Sequence, residues 1–270
     1  MIEGILLLLL SLIFLSIGSL SSVLIYRLPM MEIEINEINL FFPRSHCPEC
    51  KKDISWFFLI PLIGFLVQRG KCEKCKKPIS KLYFLNEIIH LSIGLTLFYY
   101  FDISILFFIT YLLFFIFYIL FILDYKLFYL PLYLNSSVAL VGLFSNSVFN
   151  LYTKNISEIF GITSFMYSLI GFCIGYLSLW IVNFFYKTMY KKDGIGGGDF
   201  ILFGGIGTII GPLALAPVLF IGSLSCAILI ISTQPNKFKR EIPLGSGLIL
   251  GLFVFISLKY FELFENILVI

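Results

Sequence analysis

The sequence predicts an all-α polytopic membrane protein of about eight transmembrane helices, with a cytoplasmic tetracysteine zinc-binding loop. Three observations carry that expectation. The 270 residues are 59% hydrophobic and only 13% charged, against about 25% charged in a soluble domain. Long apolar runs recur along the chain, with Phe, Ile and Leu far more frequent than Ala, as suits a lipid-facing surface. The first long polar interruption holds two cysteine pairs. A net charge of +3 is too small to argue for a nucleic-acid partner. The basic residues sit in a few loops instead, and their placement gives orientation.

The run from Ile5 to Tyr26 is long enough for one crossing, since a helix rises 1.5 Å per residue and about 20 residues are needed. Glu3 stands where a signal peptide has a basic region, and no A-x-A-like site follows, so this run is expected to be a retained helix. Residues 27–82 form a polar loop rich in Arg and Lys, including Arg27, Arg44, Lys51, Lys52, Arg69, Lys71, Lys74, Lys76, Lys77 and Lys81. The positive-inside rule makes it cytoplasmic and puts the N-terminus outside. Further apolar runs cover 83–100, 103–123, 133–150, 160–186, 200–211, 213–232 and 244–262, with Gly211-Pro212 the only break between the fifth and sixth of these. Counting alternately, the inside loops are 27–82, 124–132, 187–199 and 233–243. They carry Lys126, then Lys187, Lys191 and Lys192, then Lys237, Lys239 and Arg240, while the outside loops hold little beyond Lys154. The expected organisation is a first helix at 1–26, a loop domain at 27–82 and a seven-helix membrane domain at 83–270. No internal repeat is evident.

Parity places two acids, Asp124 and Asp199, at the same face. Asp199 ends the run Gly196-Gly197-Gly198-Asp199, where glycines allow unusual backbone and close approach. An acid at the edge of hydrocarbon is costly and marks a functional site. An aspartate before an apolar run is also an ordinary helix N-cap. Asp124 closes a helix at its carboxyl end, where the helix dipole disfavours negative charge, so a simple boundary role suits it less well. If the two approach closely, the pair holds a single proton. One carboxylate can then activate water while its protonated partner polarises a peptide carbonyl.

Cys47-Pro48-Glu49-Cys50 and Cys72-Glu73-Lys74-Cys75 are two C-x-x-C knuckles 21 residues apart. Four thiolates with this spacing make a tetrahedral zinc site, which would staple a loop that has little core of its own. A disulfide pair, an iron site and a nucleic-acid-binding zinc ribbon are the alternatives, and a cytoplasmic location disfavours disulfides. A site closed by four thiolates leaves no position for metal catalysis. Cys173 and Cys226, inside apolar runs, are expected to be small core residues. His46 and His90 are too few for a histidine-based site. Glu87, one turn inside a membrane helix, needs a partner. No G-x-S-x-G, Walker A or HExxH motif occurs, which removes support from serine, ATP-dependent and HExxH-zinc peptidases.

Together these residues resemble the prepilin peptidase family, the type IV leader peptidases with a GxGD motif. Gly18-Ser19 with Val23, Ile25, Tyr26, Arg27, Leu28 and Pro29 is similar to the family's first-helix signature. The two knuckles resemble its cytoplasmic loop, as do Trp56, Ile60-Pro61, Arg69-Gly70, Pro78-Ile79-Ser80, Tyr83 and Glu87. Asp124 with Pro131, the GxGD at Gly196 to Asp199, and Ile242-Pro243-Leu244-Gly245 resemble its catalytic segments. The resemblance implies an aspartic endopeptidase of the bacterial cell (cytoplasmic) membrane, its active site facing the cytoplasm. Such an enzyme removes the leader from type IV prepilins or pseudopilins, whose helices approach from the lipid. Many members then methylate the new N-terminus with S-adenosylmethionine, and Glu87 is a candidate for that step or for a structural hydrogen bond. Phe58-Leu59, Leu132 and Ile201 depart from the family pattern, and the first of these bears on methylation. A preflagellin-type peptidase, a cation transporter and a zinc-knuckle scaffold are the competing readings. The transporter accounts for the acids but not for the knuckles.

Overall fold

The structure, a computed structural model, describes residues 2–33, 39–233 and 242–260. The basic residues Lys237, Lys239 and Arg240, on which the last inside loop rests, lie outside the described residues. All regular structure among the described residues is helical, apart from two isolated bridges, His46 with Asp53 and Lys71 with Pro78. The helices are α1 (Ile2–Ile33), α2 (Ile63–Val67), α3 (Lys81–Phe101), α4 (Ile105–Leu127), α5 (Leu132–Phe149), α6 (Lys154–Ile159), α7 (Ser164–Tyr190), α8 (Gly197–Ile210), α9 (Leu215–Thr233) and α10 (Leu244–Tyr260), with a short 3₁₀ turn at Trp56–Leu59. Five of them, α1, α3, α4, α5 and α7, are long and apolar enough to cross a membrane, and α8, α9 and α10 are shorter apolar helices.

The chain divides into two compact units, residues 1–115 and 116–270. In the first, α1 packs on α3 through small residues. A Cβ at Gly18 would lie 2.6 Å from the Glu87 Cα, and one at Gly94 would meet the Phe14 ring. Close backbones and polar links hold membrane helices together where the hydrophobic effect cannot. Here the link is Asn86 Nδ2 donating to Ser22 Oγ at 2.8 Å. Phe14, Phe107 and Tyr111 form the buried aromatic cluster. Helix α1 runs past Tyr26 to Ile33 and carries Arg27 with it, whose guanidinium donates to the carbonyls of Asn39 and Pro43, beyond the helix end, at 2.7 and 2.6 Å.

In the second unit α8 is the centre. It is apolar on every side, as a helix enclosed by others must be, and from Asp199 to Ile209 every residue but the half-buried Ile201 is buried. Helices α5, α7 and α10 pack on it, and α9 packs on α10. The α7–α8 contact is glycine on backbone. A Cβ at Gly175 would stand 2.6 Å from the Phe203 carbonyl oxygen, and Gly171 faces Gly207. Asn146 ties three elements: its amide donates to Ser168 Oγ and to the Thr208 carbonyl, both at 2.8 Å, and its oxygen accepts the Tyr152 N–H. At 14 residues α8 is only about 21 Å long. Its enclosure explains why a short apolar run persists at membrane depth. Of the two unpaired cysteines, Cys226 is buried as expected, but Cys173 is exposed on α7. An apolar run in a membrane protein has a lipid-facing side as well as a core side, and Cys173 lies on the outer one.

Candidate active site and metal centre

Asp124 lies in the last turn of α4 and is buried. Its Oδ2 accepts both donors of Ser246, the backbone N–H at 2.5 Å and the hydroxyl at 2.7 Å. Ser246 is the third residue of α10, so an outward-pointing N–H of a helix start meets the carboxylate. Ser246 Oγ also lies 3.2 Å from the Pro243 carbonyl. Asp199 is the third residue of α8, and the N-cap is Gly196 rather than Asp199. An acid in a first helical turn is favoured by the dipole. Its Oδ2 lies against Gly196, where a Cβ would stand 3.2 Å away. Backbone N–H groups of Gly196 and Gly245 serve its carboxylate, and the Asp124 charge bears on it. Its Oδ1 is buried and has no hydrogen-bond partner among the described residues.

The two acids therefore meet at one dipeptide. Gly245 serves Asp199, and a Cβ at Gly245 would lie 3.2 Å from Asp124 Oδ2, while Ser246 binds Asp124. Two helix starts, α8 and α10, bring their amide ends to two carboxylates separated by 75 positions in the chain. The glycines of the motif differ in what they do. Gly198 is pressed by Leu130, whose Cβ would be 2.8 Å from an added methyl, whereas Gly197 faces open space. Gly196 lies against the Asp199 carboxylate.

The sequence reading missed the residues that hold this motif. Asn135 on α5 is fully buried and donates to the Gly198 carbonyl at 3.1 Å. Asn183 on α7 accepts the N–H groups of Gly194 and Ile195 at 2.8 and 3.0 Å and donates to Asp193 at 3.0 Å. Lys187 completes the strap with a 3.0 Å ion pair to Asp193. The Lys187 ammonium and the Asn183 amide hold the exposed Asp193 carboxyl below the usual carboxylate range. A signal was available, since buried amides in apolar runs need partners. Ser246 gave none, because a serine beside glycine at a helix start is common.

Glu87 is buried on α3. Its Oε2 accepts the Leu62 N–H at 2.6 Å, and the Ser19 hydroxyl also serves it. Leu62 holds a left-handed φ of 60°, a strained state for a branched residue. Glu87 therefore fixes a loop onto two helices. His90 is buried with Nδ1 3.3 Å from the Tyr111 hydroxyl.

Cys47, Cys50, Cys72 and Cys75 come together, every sulfur within 4.8 Å of the others. Cys47 to Cys75 is 3.8 Å and Cys50 to Cys72 is 4.0 Å. A tetrahedron of thiolates about 2.3 Å from a metal has sulfur–sulfur edges of about 3.8 Å, so the donor set fits such an ion. The knuckles repeat each other bond for bond. Cys47 and Cys72 each accept from the residue four on and donate to the carbonyl five on, at 2.9–3.0 Å. Lys51 and Lys76 take the matching left-handed conformations, φ 56° and 59°. The repeat, C-x-x-C-K-K, is short enough to escape a search for longer periods. Glu49 and Lys77 join the two by an ion pair. The N–H groups of Cys75 and Lys74 bring the Cys72 thiol down to about 6. Cys75 is pushed up to about 11: the Lys77 N–H opposes the rise, but desolvation and the neighbouring thiols outweigh it.

An all-helical membrane protein with a buried pair of acids and a tetrathiol cluster is thus defined by fold and site. Comparison with known families makes this specific. Residues 12–101 match the bacterial peptidase A24 N-terminal domain, and residues 107–231 match the type IV leader peptidase family. A prepilin leader peptidase/N-methyltransferase of Klebsiella pneumoniae is 32% identical over 209 residues, 77% of this chain and 87% of the relative. Proteins of the same description from Legionella pneumophila and Vibrio cholerae are 32% identical over 261 residues and 30% over 262. They cover 87% and 95% of this chain and 87% and 99% of their own lengths. No solved structure matches. The chain belongs to the type IV leader peptidase family, and it is an enzyme.

Proposed function

We propose that the protein is an aspartic endopeptidase that removes the leader from type IV prepilins or pseudopilins at the cytoplasmic face of a bacterial membrane. The observation that carries this is the meeting of Asp124 and Asp199 at Gly245-Ser246. Two carboxylates in one buried site share one proton. Ser246 gives Asp124 two donors on one oxygen, which suits the ionised partner. Asp199, with a buried oxygen that has no partner among the described residues, suits the proton carrier. Asp124 then takes a proton from water as the oxygen attacks the scissile carbonyl carbon, and Asp199 donates its proton to the carbonyl oxygen. In this reading the basic residues beside the acids, Lys126 next to Asp124 and Lys187, Lys191 and Lys192 before Asp199, turn that end of their helices to the cytoplasm by the positive-inside rule. The tetracysteine loop favours the bacterial prepilin branch over a preflagellin-type enzyme or a transporter.

The four thiols hold a structural zinc ion in this reading, closed to substrate. Methyl transfer from S-adenosylmethionine is a second activity, supported by the names of the relatives. In it Glu87 acts through the loop it holds. The deciding assay co-expresses a prepilin with the wild type, Asp124→Asn or Asp199→Asn. Leader cleavage is expected only with the wild type, and cleavage by either variant at wild-type rate would refute the mechanism. Mass spectrometry of the mature pilin tests the methyl group.

A further inference from the structure

Residues 56–67 read Trp-Phe-Phe-Leu-Ile-Pro-Leu-Ile-Gly-Phe-Leu-Val without a polar side chain. Twelve such residues are too few to span a bilayer, and a run of this length suits an interfacial or buried segment. It is not buried. Trp56 is 75% exposed, Leu66 60% and Val67 55%, and Phe57, Leu59 and Ile63 are exposed with them. The segment is nevertheless compact. Its 3₁₀ turn and α2 pack so closely that a Cβ at Gly64 would collide with the Phe58 carbonyl.

Two contacts fix its height. Phe65 stacks on Phe84, ring centres 5.2 Å apart, and the Leu62 N–H reaches the Glu87 carboxylate. Phe84 and Glu87 lie three and six residues into α3, which is about 4.5 and 9 Å below its start. Helix α3, at 21 residues, is itself about as long as the hydrocarbon core is thick. The apolar segment is therefore pinned beside the first two turns of a membrane-crossing helix, at headgroup and upper acyl depth. The flanking knuckles expose Lys51, Lys52, Lys71, Lys74 and Lys76. Apolar and aromatic residues between basic ones are the composition that seats a segment in an anionic membrane surface.

The geometry points to residues 56–67 as an interfacial membrane anchor, their exposed Trp, Phe, Ile, Leu and Val side chains in the acyl boundary and the knuckle lysines among anionic headgroups. This rests on α1 and α3 crossing the membrane and not on the peptidase chemistry. It gives the loop domain a fixed place on the bilayer rather than leaving it as a solvated loop.

The chain has two tryptophans, Trp56 and Trp180, so Trp180→Phe isolates Trp56 without touching the acid site. The purified full chain would be reconstituted in phosphatidylcholine–phosphatidylglycerol vesicles with and without brominated acyl chains. Bromolipid is expected to lower Trp56 emission about twofold, with iodide nearly without effect, as for an interfacial indole. Efficient quenching by iodide with no effect of bromolipid would overturn the anchor. Should Trp180→Phe fail to fold, subtracting Trp56→Phe from wild type gives the same signal. Shielding that arises only when a prepilin is added would also overturn it, assigning the face to a protein partner. Headgroup-labelled phosphatidylglycerol should quench more than equally labelled phosphatidylcholine, and equal quenching would remove the lysines from the anchor.

Discussion

The tetrathiol knuckles and the acid pair are built in opposite ways. Each knuckle is made within a stretch of eight residues, and its twin copies its hydrogen bonds and its left-handed lysine. Their sulfurs lie within 4.8 Å of one another at the end of a loop with almost no buried core. The acid pair draws on three helices, α4, α8 and α10, and on amides from α5 and α7 that hold the Gly-rich turn. A local motif can be stable where there is little packing if an ion supplies the free energy. Two buried carboxyl groups are brought together only where packing around them holds them there. Function and stability separate along that line: substitution at the acids should stop chemistry and spare the fold, and substitution at the thiols should do the reverse.

The largest effect is expected at the acids. Asp124→Asn and Asp199→Asn should each lower cleavage by about 10²–10⁴-fold, the usual contribution of a positioned acid or base. The protein should still insert, and its melting temperature should change little. Comparable loss of activity in Cys72→Ser/Cys75→Ser protein that is folded and inserted would erase the distinction.

Metal removal comes next. Metal analysis should find about one zinc per chain. Chelation should open residues 39–80 to protease, because a structural ion contributes folding free energy directly. Assayed at a temperature where the membrane helices persist, cleavage should fall only a few-fold. A chelated protein as protease-resistant as the untreated one would argue that the knuckles fold without an ion.

Ser246 sharpens the acid side. Ser246→Ala removes one of two donors to Asp124, and a hydrogen bond to a charged group contributes about 1.5–3 kcal/mol. The cleavage rate should fall about 10- to 100-fold, with KM nearly unchanged. The acidic limb of the pH–rate profile should move to higher pH, and Ser246→Thr should restore it. A loss in KM alone would make Ser246 a substrate contact.

The smallest effect is expected at the strap before the GxGD turn. The Asp193 carboxyl ionises below its unfolded value of about 3.9, so the stabilisation is complete above that value and disappears as pH falls through the lower folded value. Asp193→Asn should lower the melting temperature slightly and equally from pH 5 to 8, with the difference from wild type closing below about pH 4. A difference that grew at low pH would exclude the ion pair with Lys187 as its cause. Exposed pairs contribute little, so activity should hardly change.

Much of this was legible in the chain because the signals are local. Apolar runs gave the long helices to within about four residues at their described ends, apart from α1, which continues seven residues past Tyr26 to Ile33, since hydropathy over about 20 residues is itself the condition for crossing. Cysteine spacing gave the tetrathiol set, because ligands three apart and a tight turn already fix half the tetrahedron. The family motifs marked Asp124 and Asp199 as the acids to watch. Tertiary structure decided the rest. That Gly245 and Ser246 reach the two acids, that Asn135 and Asn183 hold the Gly-rich turn, and that Glu87 grips Leu62 are contacts between residues 11 to 122 positions apart. No periodicity encodes such pairs. They follow from which helix faces meet, and in this protein glycine on backbone decides which faces can.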